Sequence, residues 1–432
     1  MNRKSITICA YDRADTTGGP QRWAVDFACY LASAGWKVVV PIICPGGADS
    51  SGMASSLNSR HISAKVLDST KARYLEDQAE WLLSEWNRDR TAVFNANLVL
   101  PAMFAARWIR QAARVIAVIH SDPRHDSFYD ELVDTFVGGD PEWRLDAAVA
   151  VSNRIASEAR RGSTASRIET ISCGASAPSR EARAPHAGLK ILYCGRLVQK
   201  AKQIRKLTDA FLIVTQLPGV TAGICGSGPE KDWIVERLKG QNRVTYLGSL
   251  DPDVMRSTMR QYDVIVLLSD FEGLPISIVE GMAEGLVPVC LDEESGAREI
   301  IENGVNGFLV TDRELSFQRA IESLRDQDTL SRMSAAARRT FAERYSHEVV
   351  FGKWKLFLDD LIKDLNEKSV AMPKRLNLRT ARARDTFQGY PPSRPSRSEL
   401  LGVRLRNAWT ATRVALRPRS RISELASRIR PD

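Results

Sequence analysis

Short β-branched runs alternate with longer segments of helical periodicity from the start of the chain. SITICA, WKVVVPII, TAVFNA, ARVIAVIH and DAAVAVS read as strands, with helices predicted over PQRWAVDFACYLASAG, residues 70–87 and VLPAMFAARWIRQAA. Nearly continuous apolar strands separated by amphipathic helices are the pattern of a parallel sheet covered on both faces. The unit ends near Ala177, where PSREARAPHAG has prolines, charges and glycine without periodicity and reads as a linker. The alternation then restarts. KILYCG, VTAGICG, RVTYLG, DVIVLLS and LVPVCLD read as strands of a second sheet, with helices over 202–216, 229–239, 253–261 and 277–284. After Phe308 the pattern turns mostly helical through SFQRAIESLRD, LSRMSAAARRTFAER and HEVVFGKWKLFLDDLIKDL, and past Lys368 it dissolves. The predicted organisation is a first α/β domain over 1–177, a second over 189–345, a C-terminal helix over 346–368 and a tail over 369–432.

Composition narrows this picture in three places. A chain of 432 residues exceeds what one core usually serves, and 44% apolar with 26% charged residues excludes disorder of the whole chain. Seven scattered cysteines, several ending apolar runs, show neither C-x-x-C pairs nor zinc spacing, so a reducing compartment is expected. The apolar stretch near the amino terminus is too short for a signal peptide or a membrane span, which points to a cytoplasmic protein. The net charge of +9 is unevenly placed: residues 371–432 hold fifteen Lys/Arg against four Asp/Glu, +11, leaving −2 for the rest. The basic balance therefore describes a tail and not the folded body.

In doubly wound sheets ligands sit beyond the carboxyl ends of the strands, so the residues ending each run are the candidates for chemistry. SDFEGLPISIVEGMAEGLVPV follows the strand DVIVLLS directly. It places Glu272 in a strand-to-helix loop, Pro275 where a helix begins, and Glu280 on that helix. Backbone N–H groups and the positive end of a helix dipole suit a sugar or phosphate there. GRLVQKAK, after ILYC, puts Arg196 with Lys202, or its rival Lys200, where a diphosphate could lie. GICGSGP joins strand to helix through Gly226 and Gly228, and TTGGPQRW does so through Gly18 and Gly19. In both places close backbone approach to a ligand competes with a plain tight turn. His120 ends the strand ARVIAVIH and could hydrogen-bond a ligand in the cleft, with Asn95 and Asn97 as weaker neighbours. Asp251-Pro252-Asp253 has the Asp-x-Asp spacing of a divalent metal site, but Asp251 fits a helix cap before Pro252, so no metal is expected.

Glu272 and Glu280, inside SDFEGLPISIVEGMAEGLVPV, resemble the signature of family 4 retaining glycosyltransferases of the GT-B fold. The resemblance spans roughly residues 5–365. It implies two Rossmann-like domains facing across a cleft, with the final helix crossing back to the first domain. It implies a nucleotide diphosphate sugar as donor, no metal or other cofactor, and retention of anomeric configuration. Residue by residue, Glu272 would lie beside the donor sugar, the amides of Gly273 and Leu274 would contact the donor, and Glu280 would bind the ribose hydroxyls. Arg196 and Lys202 would take the diphosphate, Gly18 and Gly19 would face the phosphates and acceptor, and His120 would meet the transferred sugar. Two departures stand out: Gln203 where the family usually has Gly after its Lys, and Ser295 where EESGAREIIENGVNGFLV would carry the first of two glycines. Glu299 in that run is given no role.

The acceptor is expected to be a glycan, a lipid-linked sugar or a small molecule. In the tail, Leu401, Leu405, Trp409, Thr412 and Leu416 recur at helical spacing among Arg404, Arg406, Arg413 and Arg417. A basic amphipathic helix of that kind could rest on an anionic membrane, against the alternative of a disordered tail. Nucleic acid is disfavoured because little aromatic surface is interleaved with the arginines. The competing functional readings are a GT-B-shaped epimerase or phosphorylase, or a non-catalytic module with a nucleic-acid-binding tail.

Overall fold

The computed structural model describes residues 4–12, 18–122, 124, 127–139, 141–161, 167–177, 186–365, 372–373 and 375–376. The middle of the linker and the amphipathic segment of the tail lie outside the described residues. The first sheet comprises β1 (Ser5–Ile8), β2 (Ala10–Tyr11), β3 (Lys37–Cys44), β4 (Ser63–Asp68), β5 (Val93–Asn95), β6 (Arg114–Ile119), β7 (Ala147–Ala150) and β8 (Arg167–Thr170). Its order is β2-β3-β1-β5-β6-β7-β8, with β4 paired to β3, and its pairings are parallel. The second sheet comprises β9 (Leu189–Cys194), β10 (Val220–Cys225), β11 (Val244–Gly248), β12 (Val264–Leu267), β13 (Val287–Leu291) and β14 (Phe308–Val310). It is also parallel, in the order β11-β10-β9-β12-β13-β14.

Each sheet winds outward in both directions from a central pair. The chain runs from β1 to β3 on one side and from β5 to β6 on the other, so the first switch point lies between β1 and β5. In the second sheet it lies between β9 and β12. At a switch point the following connections diverge to opposite faces and leave a crevice outside the strand ends. Gly18 and Gly19 follow the β1–β2 segment, and Asn97 follows β5; the loop of Lys202 follows β9, and the loop of Glu272 follows β12.

The strongly apolar central strands are where the sequence predicts them. β2, β4, β8 and β14 were not predicted: they are short or half-exposed and lack a continuous apolar run. β14 also interrupts the mostly helical stretch expected after Phe308. The helix expected over 70–87 is Leu75–Asp89, because Asp68 instead holds a turn by accepting from the Thr70 amide at 3.0 Å. The helix expected from residue 202 begins at Ile204. Asp251 does precede a helix, Pro252–Met259, but its side chain makes no capping hydrogen bond.

The last helix, His347–Leu361, crosses back to the first domain as expected. Ser346 caps it by accepting from the Val349 amide at 3.4 Å. Backbone bonds Ala175 N to Tyr345 O and His347 N to Ala175 O, both 2.9 Å, fasten its start to the end of the first domain. Its aromatic face then packs on the first helix, Gly19–Ser33: Trp354 lies 4.8 Å from Phe27 and 5.5 Å from Trp23 between ring centroids. Arg167 pairs with Asp360 at 2.7 Å near the far end.

Candidate active site

The two loops of the second switch point are tied to each other. Asp270 N donates to Ala201 O at 2.9 Å, Gln203 Nε2 donates to the Asp270 carboxylate, and Lys202 Nζ pairs with Glu272 Oε1. Arg313 braces the Glu272 loop through Leu268 O at 3.0 Å and through Asp270. This distinguishes the two lysines. Lys202 turns inward with 13% of its side chain exposed, whereas Lys200 is exposed. Arg196 is exposed on the same loop, and its guanidinium makes no hydrogen bond or ion pair with another described residue.

Gln203 also accounts for the missing glycine. Its φ of 46° and ψ of 45° are left-handed, the conformation glycine adopts without strain. Here the Gln199 amide at 3.0 Å and the Asp270 carboxylate hold the longer side chain instead. Ser295 differs in kind: its φ is not positive, and its Oγ accepts from Ala297 N at 3.2 Å. The close approach belongs to Gly296, where a Cβ would come within 2.2 Å of Gly273 O.

Gly273 is one of the points at which the domains touch, since a Cβ there would lie 2.1 Å from His120 O. Leu274 beside it is buried, and Pro275 immediately precedes the helix Ile276–Ala283. A Cβ on Gly19 would lie 2.9 Å from Ile276 Cδ1, so the first helix begins directly opposite that helix. Gly18 is the N-cap residue of the first helix, facing its own Gln21. Gly226 has φ 144°, and a Cβ on it would reach 1.8 Å from Gly195 O. Loop-on-loop packing therefore demands this glycine whatever ligand is bound.

Glu280 faces Arg22 of the first helix at 3.9 Å. Burial raises its carboxyl pKa, against the pull of Arg22 and Arg256. His120 Nε2 lies 3.1 Å from Asn97 Oδ1, and its ring meets Trp23 edge-on at 5.2 Å. Burial pushes its pKa down to about 4, so the ring is neutral at physiological pH. Asn97 has φ 47° and donates its amide to Asn95 Oδ1 at 3.0 Å, while buried Asn95 Nδ2 finds no partner among the described residues.

The depressed pKa of His120 has a consequence for stability. The unfolded state takes up this proton near pH 6.5 and the folded state only near pH 4. The stabilisation is complete above pH 6.5 and is lost as pH falls through that window. His120→Asn, which has no proton to gain, is expected to lose less melting temperature than the wild type between pH 6.5 and 4.5. Parallel acid sensitivities would exclude His120 as the source.

Glu299, which has no role in the sequence pattern, joins the two domains. Its carboxylate accepts from Asn153 N and Arg154 N, each at 2.9 Å, and from Asn153 Nδ2 at 3.0 Å, so it caps the helix Asn153–Arg161 from the other domain. Beside it Arg124 and Arg154 of the first domain reach Glu294 of the second at 3.0 and 3.3 Å. Glu299→Ala is expected to lower the unfolding free energy by about 1–2 kcal/mol, in the range of a lost helix cap. An unchanged urea midpoint would exclude the cap as a stabilising contact. Among the described residues, no group of three or more His, Cys, Asp or Glu side chains is placed to hold a metal ion, and no helix is long and apolar enough to cross a membrane.

Comparison with known proteins agrees with this arrangement. Residues 17–177 match the family described as Glycosyltransferase Family 4, and residues 188–327 match that described as Glycosyl transferases group 1. The chain belongs to the group 1 glycosyltransferases of the GT-B fold. It is 28% identical over 185 residues to the poly(glycerol-phosphate) alpha-glucosyltransferase of Bacillus subtilis, which covers 41% of this chain and 27% of that protein. It is 28% identical over 172 residues to the N-acetyl-alpha-D-glucosaminyl L-malate synthase of Bacillus anthracis, covering 38% of this chain and 44% of that one. The matches thus span less than half the length of these two relatives. In fold it is similar to Anabaena HepE in complex with UDP and glucose, with TM-score 0.65 and 19% identity over 82% of this chain and 99% of that one. It is also similar to the sucrose-phosphate synthase of Thermosynechococcus elongatus, with TM-score 0.67 and 17% identity over 83% and 99%.

Proposed function

We propose that this protein is a retaining glycosyltransferase that moves a sugar from a nucleoside diphosphate sugar, without a metal ion, to a glycan or lipid-linked acceptor. The observation that carries the reading is the Lys202–Glu272 pair at the second switch point, with the exposed Arg196 beside it and Gly273 pressed against His120. The diphosphate lies against Arg196 and Lys202, and the ribose hydroxyls donate to Glu280. The amides of Gly273 and Leu274 donate to the donor, and Glu272 sits beside its sugar. A divalent ion would otherwise balance the charge growing on the departing diphosphate; here the two cations do so, and they act most strongly where closure excludes water. Neutral His120 serves the sugar or acceptor as a hydrogen-bonding group from the first domain, near Gly18 and Gly19. The acceptor attacks from the face the diphosphate leaves, which retains the anomeric configuration.

UDP with glucose in the HepE complex, and glucosyl and N-acetylglucosaminyl transfer in the names of the curated relatives, favour a UDP-hexose donor. Thermal unfolding in the presence of a panel of nucleotide sugars tests this. One donor should raise the melting temperature, and NMR of the product should give the donor's anomeric configuration. If no nucleoside diphosphate or its sugar stabilises the protein, the reading fails. We further propose that the basic tail holds the protein on an anionic membrane near such an acceptor; sedimentation with phosphatidylserine vesicles that is unchanged by deletion of 371–432 would end that idea.

A further inference from the structure

We infer that Cys194 and Cys225 form an oxidisable dithiol at the base of the cleft, which a peroxide closes to a disulfide. Cys194 ends β9 and Cys225 ends β10, and the two are register partners. Register partners on adjacent parallel strands point to the same face, and the strands run about 4.8 Å apart. That separation lies within the range of about 4.4–6.8 Å between Cα atoms that a disulfide spans. The register of β10 against β11 shifts between Ile224 and Cys225, so Cys225 sits where the ladder is irregular and can adjust.

The two thiols shift each other's pKa values in opposite directions. Cys194 Sγ also lies 3.3 Å from Met255 Sδ, and Cys225 Sγ 3.1 Å from Gly248 O. The remaining five cysteines, among them Cys173 against His120, have thiols pushed up by burial. Cys225 is the exception: its interaction with the Cys194 thiol draws its pKa below the usual thiol value, while that of Cys194 rises through the same interaction and burial. Cys225 is therefore the better nucleophile and Cys194 the resolving thiol. The residues that follow, Gly195 and Gly226, are the loops in contact beneath Arg196, so the pair lies at the floor of the proposed nucleotide site.

The Cys225 thiolate attacks one oxygen of hydrogen peroxide and the O–O bond breaks, giving a sulfenic acid and a hydroxide that leaves as water after taking up the proton the Cys225 thiol released. The Cys194 sulfur then displaces that hydroxyl from Cys225, forming the S–S bond and releasing the second water. Two thiols are oxidised, and one hydrogen peroxide is reduced to two waters.

The test treats the folded full chain with hydrogen peroxide, blocks residual thiols with N-ethylmaleimide, digests with trypsin and reads the peptides by mass spectrometry. The expected product is peptide 191–196 joined to peptide 207–231, lighter by two hydrogens than their sum, and absent from Cys194→Ala and Cys225→Ala. No joined peptide from the folded wild type, while both thiols of the same sample react with maleimide after unfolding, overturns the inference. This readout does not depend on the proposed donor. A second arm does: UDP at about a hundred times its Kd should slow closure up to about 100-fold. Closure without protection would sustain the dithiol and count against the nucleotide reading alone.

Discussion

Lys202→Met is expected to lower kcat/KM by about 10²–10³, the effect of removing one preorganised group from a developing charge. Lys200→Met should leave it within about twofold, as for an exposed charge with no ion-pair partner among the described residues. Both lysines lie on the loop after β9, and the contrast rests on their surroundings. Lys202 is mostly buried against Glu272, in a loop tied to its neighbour by Asp270 N and Ala201 O. In the free protein the Lys202 ammonium already has a carboxylate partner, so the cation is held in place before any diphosphate arrives. An interaction that grows as the bond to the diphosphate breaks lowers kcat when lost, whereas uniform ground-state binding would raise KM alone. Steady-state kinetics of both variants with the stabilising donor separate these outcomes. Equal losses in the two, or a change in KM only for Lys202→Met, would remove Lys202 from the proposed role.

The pattern that made the fold legible is physical: parallel strands covered on both faces carry uninterrupted apolar runs, and eight of the ten predicted as such lie in the central pair of their sheets or one place from it. Edge strands such as β4 and β8 alternate weakly and carry no comparable signal. The loops bearing Glu272, Arg196 and His120 are legible because they follow such strands, and the fold sets Gly273 against His120 and Gly19 against Ile276. What spacing could not supply is which side chain turns inward. Nothing in QKAKQ separates Lys200 from Lys202 until the neighbouring loop is in place. Gln203 reads as a departure, although its left-handed backbone preserves the turn. Glu299 meets partners 146 and 145 residues earlier, and no local pattern announces such a pairing. Arg22 had a fainter signal: it stands three residues after Gly19, on the side of the helix that faces Glu280.

Gly273→Ala is expected to abolish most activity, by about 10² or more, while leaving each domain folded. The added Cβ would lie 2.1 Å from His120 O and 3.1 Å from Ile155 Cδ1, and the first of these is backbone at the end of a central strand. A methyl group cannot be accommodated there by a rotamer change, so the Glu272 loop or the whole domain has to retreat. Retreat of the loop would carry the Gly273 and Leu274 amides away from the donor; retreat of the domain would open the cleft to water. A displacement of about 1 Å in either direction is enough to cost about 10² in rate where reacting groups must be aligned. Circular dichroism should show unchanged secondary structure, and small-angle scattering distinguishes the two routes, since only domain retreat enlarges the particle. Wild-type activity in Gly273→Ala would mean that the domains do not meet at His120 during the reaction.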